Sequence, residues 1–373
     1  MILNPNGTSP IYDGNFRSSF SQNVEGGATL TRDTSIDVAR GLAIFIMIPA
    51  NMSAVSYADP HPLWFRIFSS LAAPLFIFIA GMMVASSSVR RHYGLSHFAI
   101  RAGLLLIVGT LIDLLIWGIV PFNSFDILYF IGIATPLTFL LTRLQPKVQL
   151  IAIALVIVAS PAMQHLFGYA EKLSEPLLSG TTGRALSSNS ERTGPLHHLF
   201  IDGWFPLVPW LAIMWVGALV AQRFLASTAD GGYRKVRNLG LVLVSIGIPV
   251  WIYSPGAHYL RDGYSELFYP PTPGFLLTAL GFNCIVIWTV RFPHAAALSA
   301  PLRFLGESAL FIYIIQCALI VFLINPYFVR CSLVLFTLIN FVTLAFLVIT
   351  AFGLRQLKQR WAQRPLIIRF FVG

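Results

Sequence analysis

Long apolar runs separated by short polar stretches dominate this chain. Ten runs approach the length of about 20 residues that a helix needs to cross a bilayer. They cover residues 37–57, 67–88, 98–120, 126–143, 148–167, 204–224, 236–254, 273–291, 304–324 and 331–353. The pattern predicts an all-α, polytopic integral membrane protein with about ten transmembrane helices.

The segments at either end of these runs predict two tails. Residues 1–35 are polar, rich in Gly, Ser and Asn, and lack the apolar core of a signal peptide, so we expect a disordered cytoplasmic tail. Residues 36–354 form the predicted transmembrane domain. Residues 355–373 are basic and amphipathic, and we expect them to lie on the anionic inner leaflet as a second cytoplasmic tail.

Composition and charge agree with a membrane protein and indicate its orientation. Charged residues make up 11% of the chain, against about 25% in soluble domains. If the N-terminus is cytoplasmic, nineteen of the 25 Lys and Arg residues fall inside, which predicts both termini on the cytoplasmic side of an inner or plasma membrane. The net charge of +10 is therefore a topology signal, with lipid rather than nucleic acid as the partner. Six basic residues fall outside: Arg66, Lys172, Arg184, Arg192, Arg261 and Arg330.

The first run carries polar residues that a lipid-facing helix would not tolerate. Asp37 and Arg40 are three residues apart on one helix face and are predicted to pair. Asn51 follows Arg40 by about three turns on the same face, about 16 Å along the axis. Pro49 releases the carbonyl group of Phe45, so we expect a kinked or hydrated helix beside Asn51.

A histidine and three carboxylates are predicted near the outer mouth. His61 follows the first run, and Asp113, Asp126 and Asp202 fall at a similar depth, although whether they face one cavity is left open. A neutral imidazole can take a proton from a hydroxyl or amine that attacks a thioester. Asn51 could orient His61 or donate to the developing oxyanion. A single histidine in a membrane loop is also ordinary interfacial decoration.

Basic residues cluster at the cytoplasmic end of the third run. Arg90, Arg91 and Arg101 are explained equally by topology or by docking of a cytosolic ligand that carries phosphates.

Two long stretches are predicted as outer loops. Residues 168–203 are rich in Gly, Ser and Thr and contain His197 and His198. Residues 255–272 place aromatic residues between charges, which suits either a sugar-binding surface or an interfacial aromatic belt.

A series of motifs resembles one known superfamily. In order they are SIDVARGLAIFIMIPAN, AAPLFIFIAGMMVA, FDILYFIGIA, DGWFPLVPWLAIMWVGAL and LGESALFIYIIQCALI, and together they cover residues 36 to about 325. The set resembles the transmembrane acyltransferase superfamily, in the branch of the heparan-alpha-glucosaminide N-acetyltransferase catalytic domain and its bacterial relatives. Asn51 favours this branch over acyltransferase family 3, where a histidine stands at that spacing.

The resemblance implies a fold of ten or eleven transmembrane helices. It also implies that the protein transfers an acetyl group from cytosolic acetyl-CoA to a hydroxyl or amine of a glycan or glycosylated acceptor on the outer side. No metal is expected to take part. By position, the catalytic residues of the family carry over to His61 and Asn51. Arg40 and Arg101, followed by Arg90 and Arg91, then become candidates for the acetyl-CoA pathway. The hypothesis adds Asp113, Asp126 and Asp202, from their predicted depth, as the lining of the acceptor site. The chain departs from the family pattern at Tyr129 and Gln316, where histidines are usual, and at Glu307, where a basic residue is usual.

Two rival functions stay open at the level of sequence. A transporter or permease for a small polar solute would show inverted repeats and paired broken helices. A catalytically lapsed member that only binds a glycan would explain Tyr129 and Gln316. A homodimer is also left open, and the three cysteines form no disulfide framework.

Overall fold

A computed structural model of the chain describes residues 34–123, 125–170, 194–224, 230–253, 264–292 and 296–360, whose regular structure is helical. The α-helices of seven or more residues are α1 (Thr34–Ser56), α2 (Leu63–Ser69), α3 (Ala72–Arg90), α4 (Leu95–Ile112), α5 (Ile127–Leu141), α6 (Pro146–Phe167), α7 (Leu207–Arg223), α8 (Asp230–Tyr253), α9 (Pro273–Thr289), α10 (Ala296–Glu307), α11 (Ala309–Leu319) and α12 (Leu333–Arg360). Three π-helical turns complete the set: Asp113–Trp117 after α4, His198–Asp202 before α7 and Ile320–Ile324 after α11.

The helices are long and apolar enough to confirm an all-α, multi-pass membrane protein. Within the described ranges, six helical segments pass this test, and eight pass if each of two bent pairs forms one span. Helices α5 and α9 are apolar but shorter. All ten predicted runs coincide, in order, with one of these segments, whereas the number of crossings stays a prediction.

Helices α1 and α10 are in direct backbone contact because glycines face each other across the pair. A methyl group at Gly41 would overlap the carbonyl oxygen of Leu302, and one at Gly306 would overlap the carbonyl oxygen of Asp37. Two helices can approach this closely only where neither carries a side chain at the crossing.

The same reciprocal arrangement joins two further pairs. Between α3 and α7, Gly81 faces the backbone of α7 and Gly217 faces the backbone of α3. Between α8 and α9, a methyl group at Gly240 would lie 2.8 Å from the carbonyl oxygen of Gly281, and one at Gly281 would lie 2.7 Å from that of Gly240. Close helix pairs of this kind form the frame of the bundle.

The predicted continuous run at residues 304–324 is instead broken, with an 89° bend between α10 and α11. Two cations satisfy the carbonyl groups at the end of α10. Nη1 of Arg40 donates to the carbonyl oxygen of Gly306 at 2.9 Å, and Nζ of Lys358 donates to that of Glu307 at 3.0 Å. Because these oxygens have partners outside the helix, the chain can turn without leaving buried acceptors unsatisfied.

Replacing Gly81 with alanine should destabilise the bundle, because the new methyl group collides with the carbonyl oxygen of Met214. Overpacking of this kind costs about 1–3 kcal/mol. The matched control is Gly103→Ala in α4, where no atom lies within 4 Å of the added Cβ. There the higher helix propensity of alanine should leave stability unchanged or slightly raised. Thermal unfolding of the detergent-solubilised variants measures both, and equal midpoints would contradict the packing argument.

Candidate active site

The turn between α4 and α5 holds two of the three predicted acceptor-site carboxylates. Asp113, at the end of α4, is buried and accepts a hydrogen bond of 2.7 Å from the hydroxyl group of Tyr129. Asp126 caps α5, where its Oδ1 accepts from the backbone N–H of Ile127 at 2.6 Å. Its Oδ2 accepts from the hydroxyl group of Tyr313 at 3.2 Å. Helices α4, α5 and α11 are therefore linked through carboxylates.

The third carboxylate is tied to the same turn through the backbone. Phe205 donates its N–H to the carbonyl oxygen of Phe125 at 3.0 Å, which places the start of α7 against the turn. Asp202 is fully buried, and its Oδ1 lies 2.7 Å from Nδ1 of His198 and 2.9 Å from Nδ1 of His197. From the sequence alone, both histidines are predicted to lie in an outer loop. The four-residue spacing from His198 to Asp202 is the signal that could have found the pair.

Asn51 lies near the end of α1 and is exposed, although Ala50 and Met52 on either side of it are buried. Its exposure places the amide on the surface of the bundle, near the end of the helix. Gln316 of α11 is fully buried and donates from Nε2 to the carbonyl oxygen of Met47 at 3.3 Å, one turn before Asn51. The residue that replaces a family histidine therefore supports the helix that carries Asn51.

His61 is held in an aromatic cluster just after α1. Its ring stacks on Tyr57 with centroids 4.8 Å apart and planes 3° apart, and it meets the edge of Phe65 at 5.9 Å. Nε2 lies 3.4 Å from the carbonyl oxygen of Tyr57 and 3.6 Å from Oδ1 of Asp59, and the side chain is 3% exposed. Across the described ranges, no hydrogen bond joins His61 to Asn51.

The end of the second predicted outer loop, residues 264–272, is buried in the bundle. The hydroxyl groups of Ser265 and Ser53 lie 2.9 Å apart, and Arg66 donates from Nε to the carbonyl oxygen of Ser265 at 3.2 Å. Glu266 is therefore a buried carboxylate near the predicted outer end of α1, and it was not among the residues predicted from sequence. Its position inside the run SELFYP suggested only an interfacial loop.

The predicted acetyl-CoA residues lie in different environments. Arg40 is partly buried and pairs with Asp37 at 3.4 Å, which confirms the predicted ion pair. Arg91 and Arg101 are exposed. The side chain of Arg90 lies outside the described part of the structure. Arg91 and Arg101 therefore lie at the surface of the bundle, whereas Arg40 is engaged in packing.

Comparison with known protein families finds a match to this chain. The family model described as heparan-alpha-glucosaminide N-acetyltransferase, catalytic, matches residues 32–255, more than half of the 373-residue chain. The chain belongs to this family. The match includes Asn51, His61 and the three carboxylates predicted to line an acceptor site, and it ends before residues 264–272. A comparison with curated proteins finds no match.

Tyr129→Phe should destabilise the protein, because it removes the 2.7 Å hydrogen bond to the buried carboxylate of Asp113. The loss of such a donor costs about 1–3 kcal/mol. The matched control is Tyr327→Phe, at a side chain that is 74% exposed, where we expect a change within about 0.5 kcal/mol. Thermal unfolding in detergent compares the two, and similar midpoints would show that the Tyr129 contact is unimportant.

Proposed function

We propose that the protein transfers an acetyl group from cytosolic acetyl-CoA to a hydroxyl or amine of a glycan or glycosylated acceptor on the outer side of the membrane. The coarser statement, a membrane acyltransferase, follows from the family match over residues 32–255, and that match is the observation that carries the proposal. The apolar helices supply the multi-pass membrane setting that such a reaction requires.

The surroundings of His61 suit a general base that acts through Nδ1. Its Nε2 faces two acceptors, the carbonyl oxygen of Tyr57 and a carboxylate oxygen of Asp59. The proton of the neutral imidazole therefore belongs on Nε2, and the lone pair belongs on Nδ1. Stacking on Tyr57 holds the plane of the ring. Since the ring is almost fully covered, the acceptor reaches it only when the aromatic cluster opens locally.

In the proposed transfer, His61 is the one group that accepts a proton and later returns it. As the acceptor oxygen or nitrogen attacks the thioester carbonyl carbon, Nδ1 of His61 takes its proton. The exposed amide of Asn51 donates to the oxyanion that develops. The carbon–sulfur bond breaks, the acetyl group stays on the acceptor, and the CoA thiolate takes the proton back from the imidazolium. Asp113, Asp126 and Asp202 lie around one turn and are proposed to position the acceptor.

The two residues that stand where family histidines are usual, Tyr129 and Gln316, hold structural hydrogen bonds. Tyr129 donates to Asp113, and Gln316 donates to the backbone of α1. Neither contact competes with the proposed chemistry at His61, which favours an active enzyme over a lapsed glycan-binding member.

A transporter would account for the two bent helix pairs, at 52° and 89°. In transporters, however, discontinuous helices break near the middle of the membrane, where they hold the solute. Here one break follows Asp202 at the predicted outer end of α7, and the other lies beside Lys358 at the predicted inner end of α12. The breaks therefore favour the acyltransferase.

His61→Ala should abolish transfer, with a loss of at least about 100-fold, because the attacking group loses its base. Release of CoA thiol from acetyl-CoA by the purified protein, with hexosamines and hexoses as probe acceptors, measures the rate. The control His165→Ala removes an exposed imidazole near the same end of the bundle and should keep full activity. Equal rates in wild type and His61→Ala would overturn the role of His61.

Arg101→Ala should weaken equilibrium binding of acetyl-CoA about tenfold, which corresponds to about 1.4 kcal/mol and to one charge-assisted contact to phosphate. Arg143→Ala is the matched control, because Arg143 lies on the same predicted side but packs 4.7 Å over the ring of Phe139. Calorimetry on the solubilised protein compares the two. Unchanged affinity in Arg101→Ala would remove this residue from the donor site.

A further inference from the structure

Two histidines and an aspartate converge because the chain before α7 forms a π-turn. Gly203 donates its N–H to the carbonyl oxygen of His198 at 2.9 Å, a five-residue bond that defines the turn. In a π-turn, the side chain of one residue lies close to the side chains of the residues four and five positions earlier in the chain. Asp202 therefore faces both His198 and His197, whereas in an α-helix His197 would point away.

The contact between His197 and Asp202 lacks the geometry of a hydrogen bond. Nε2 of His197 lies 3.0 Å from the carbonyl oxygen of Phe167, so the proton of the neutral ring belongs on Nε2. Nδ1 then presents a lone pair to Oδ1 of Asp202 at 2.9 Å, and this buried nitrogen has no hydrogen-bond partner among the described residues. Two lone pairs at this distance repel each other unless a proton or a metal ion lies between them, so the contact requires either a second proton on His197 or a bound cation.

We propose that His197, His198 and Asp202 bind a divalent transition-metal ion, with zinc as the best match. The three candidate ligand atoms lie within 4.8 Å of one another. A tetrahedral zinc ion with bonds of about 2.0–2.1 Å needs ligand atoms about 3.3 Å apart. Binding would lengthen the contacts of 2.7 and 2.9 Å to Asp202 by about half an ångström. It would bring the two imidazole nitrogens, which lie within 4.8 Å of each other, to the same spacing by rotation of the side chains, and water would complete the tetrahedron. Two imidazoles and one carboxylate favour zinc over magnesium or calcium.

The surroundings of the cluster also match a metal site. The Phe167 carbonyl oxygen holds the far nitrogen of His197, as carbonyl oxygens commonly do for metal-bound histidines. His198 and Asp202 are fully buried, and the side chain of His197 is 19% exposed, so an ion would enter from the His197 side. On binding, Nδ1 of His198 exchanges its contact with Asp202 for the metal and gives up its proton.

This proposal replaces the expectation that the protein binds no metal. The proposed ion has a structural role. The ion would clamp the end of α6, through His197 and Phe167, to the start of α7. The start of α7 is hydrogen-bonded to the turn at Phe125. The bound ion would therefore also stabilise the turn that carries the proposed acceptor-site carboxylates. The inference does not rest on acetyl transfer, although the two proposals share Asp202. With the ion bound, Asp202 would act on the acceptor only through the placement of Asp113 and Asp126.

The test is zinc content of the full-length protein, purified without a polyhistidine tag and assayed by plasma mass spectrometry. We expect about one zinc ion per chain, and a thermal midpoint that falls with chelator and returns with added zinc. His197→Ala and Asp202→Asn should each weaken zinc binding at least tenfold, whereas His165→Ala should bind as the wild type does.

A second measurement uses the wild-type protein, so its result does not depend on whether the variants fold. Cobalt added to chelated wild-type protein should give the visible absorption of a tetrahedral nitrogen and oxygen site, and zinc should displace it. Absence of zinc binding in the wild type would overturn the proposal, and the cluster would then be a hydrogen-bonded group that shares protons. Equal zinc binding in the wild type and all three variants would also overturn it, because the ion would lie elsewhere.

Discussion

Backbone contact between helices at facing glycines is the constraint on which the rest of this structure depends. Lipid tails are as apolar as the helices, so association cannot rely on the hydrophobic effect and depends on close packing and hydrogen bonds. Gly41 and Gly306 let α1 and α10 touch, and this contact brings Arg40 within reach of the Gly306 carbonyl group. The position of α1, which carries Asn51, therefore follows from residues without side chains.

The polar groups of the bundle interior are placed by this frame and hold one another. Asp113 and Asp126 each contact a side chain of another helix, so their positions depend on the packing of α4, α5 and α11, whereas Asp202 contacts the histidines of its own turn. Buried carboxylates are costly unless satisfied, which makes such networks sensitive reporters of helix placement. The positions of these carboxylates therefore follow from the fold rather than from mobile side chains.

Much of the architecture could be predicted because apolar runs and local spacing determine it. The ten runs and the Asp37–Arg40 pair depend on neighbours in sequence, and the structure reproduces them. The break between α10 and α11 could not be foreseen, because its partners are residues 40 and 358, far away in sequence. The histidine cluster was missed because residues 168–203 were predicted to be an outer loop, whereas the chain forms a π-turn at His198–Asp202. The burial of Glu266 depends on distant residues, since the neighbouring Ser265 contacts Ser53 of α1 and Ser69 of α2.

The caps at the end of α10 have a consequence for the electrostatics of the inner surface. The aligned peptide dipoles of a helix place about half a negative charge at its C-terminus. Arg40 and Lys358 lie at that pole, so much of their positive charge is compensated within the protein. The electric field that an approaching anion experiences is consequently smaller than the number of basic residues suggests. It comes mainly from exposed side chains such as Arg91 and Arg101, and dissolved salt should attenuate it strongly.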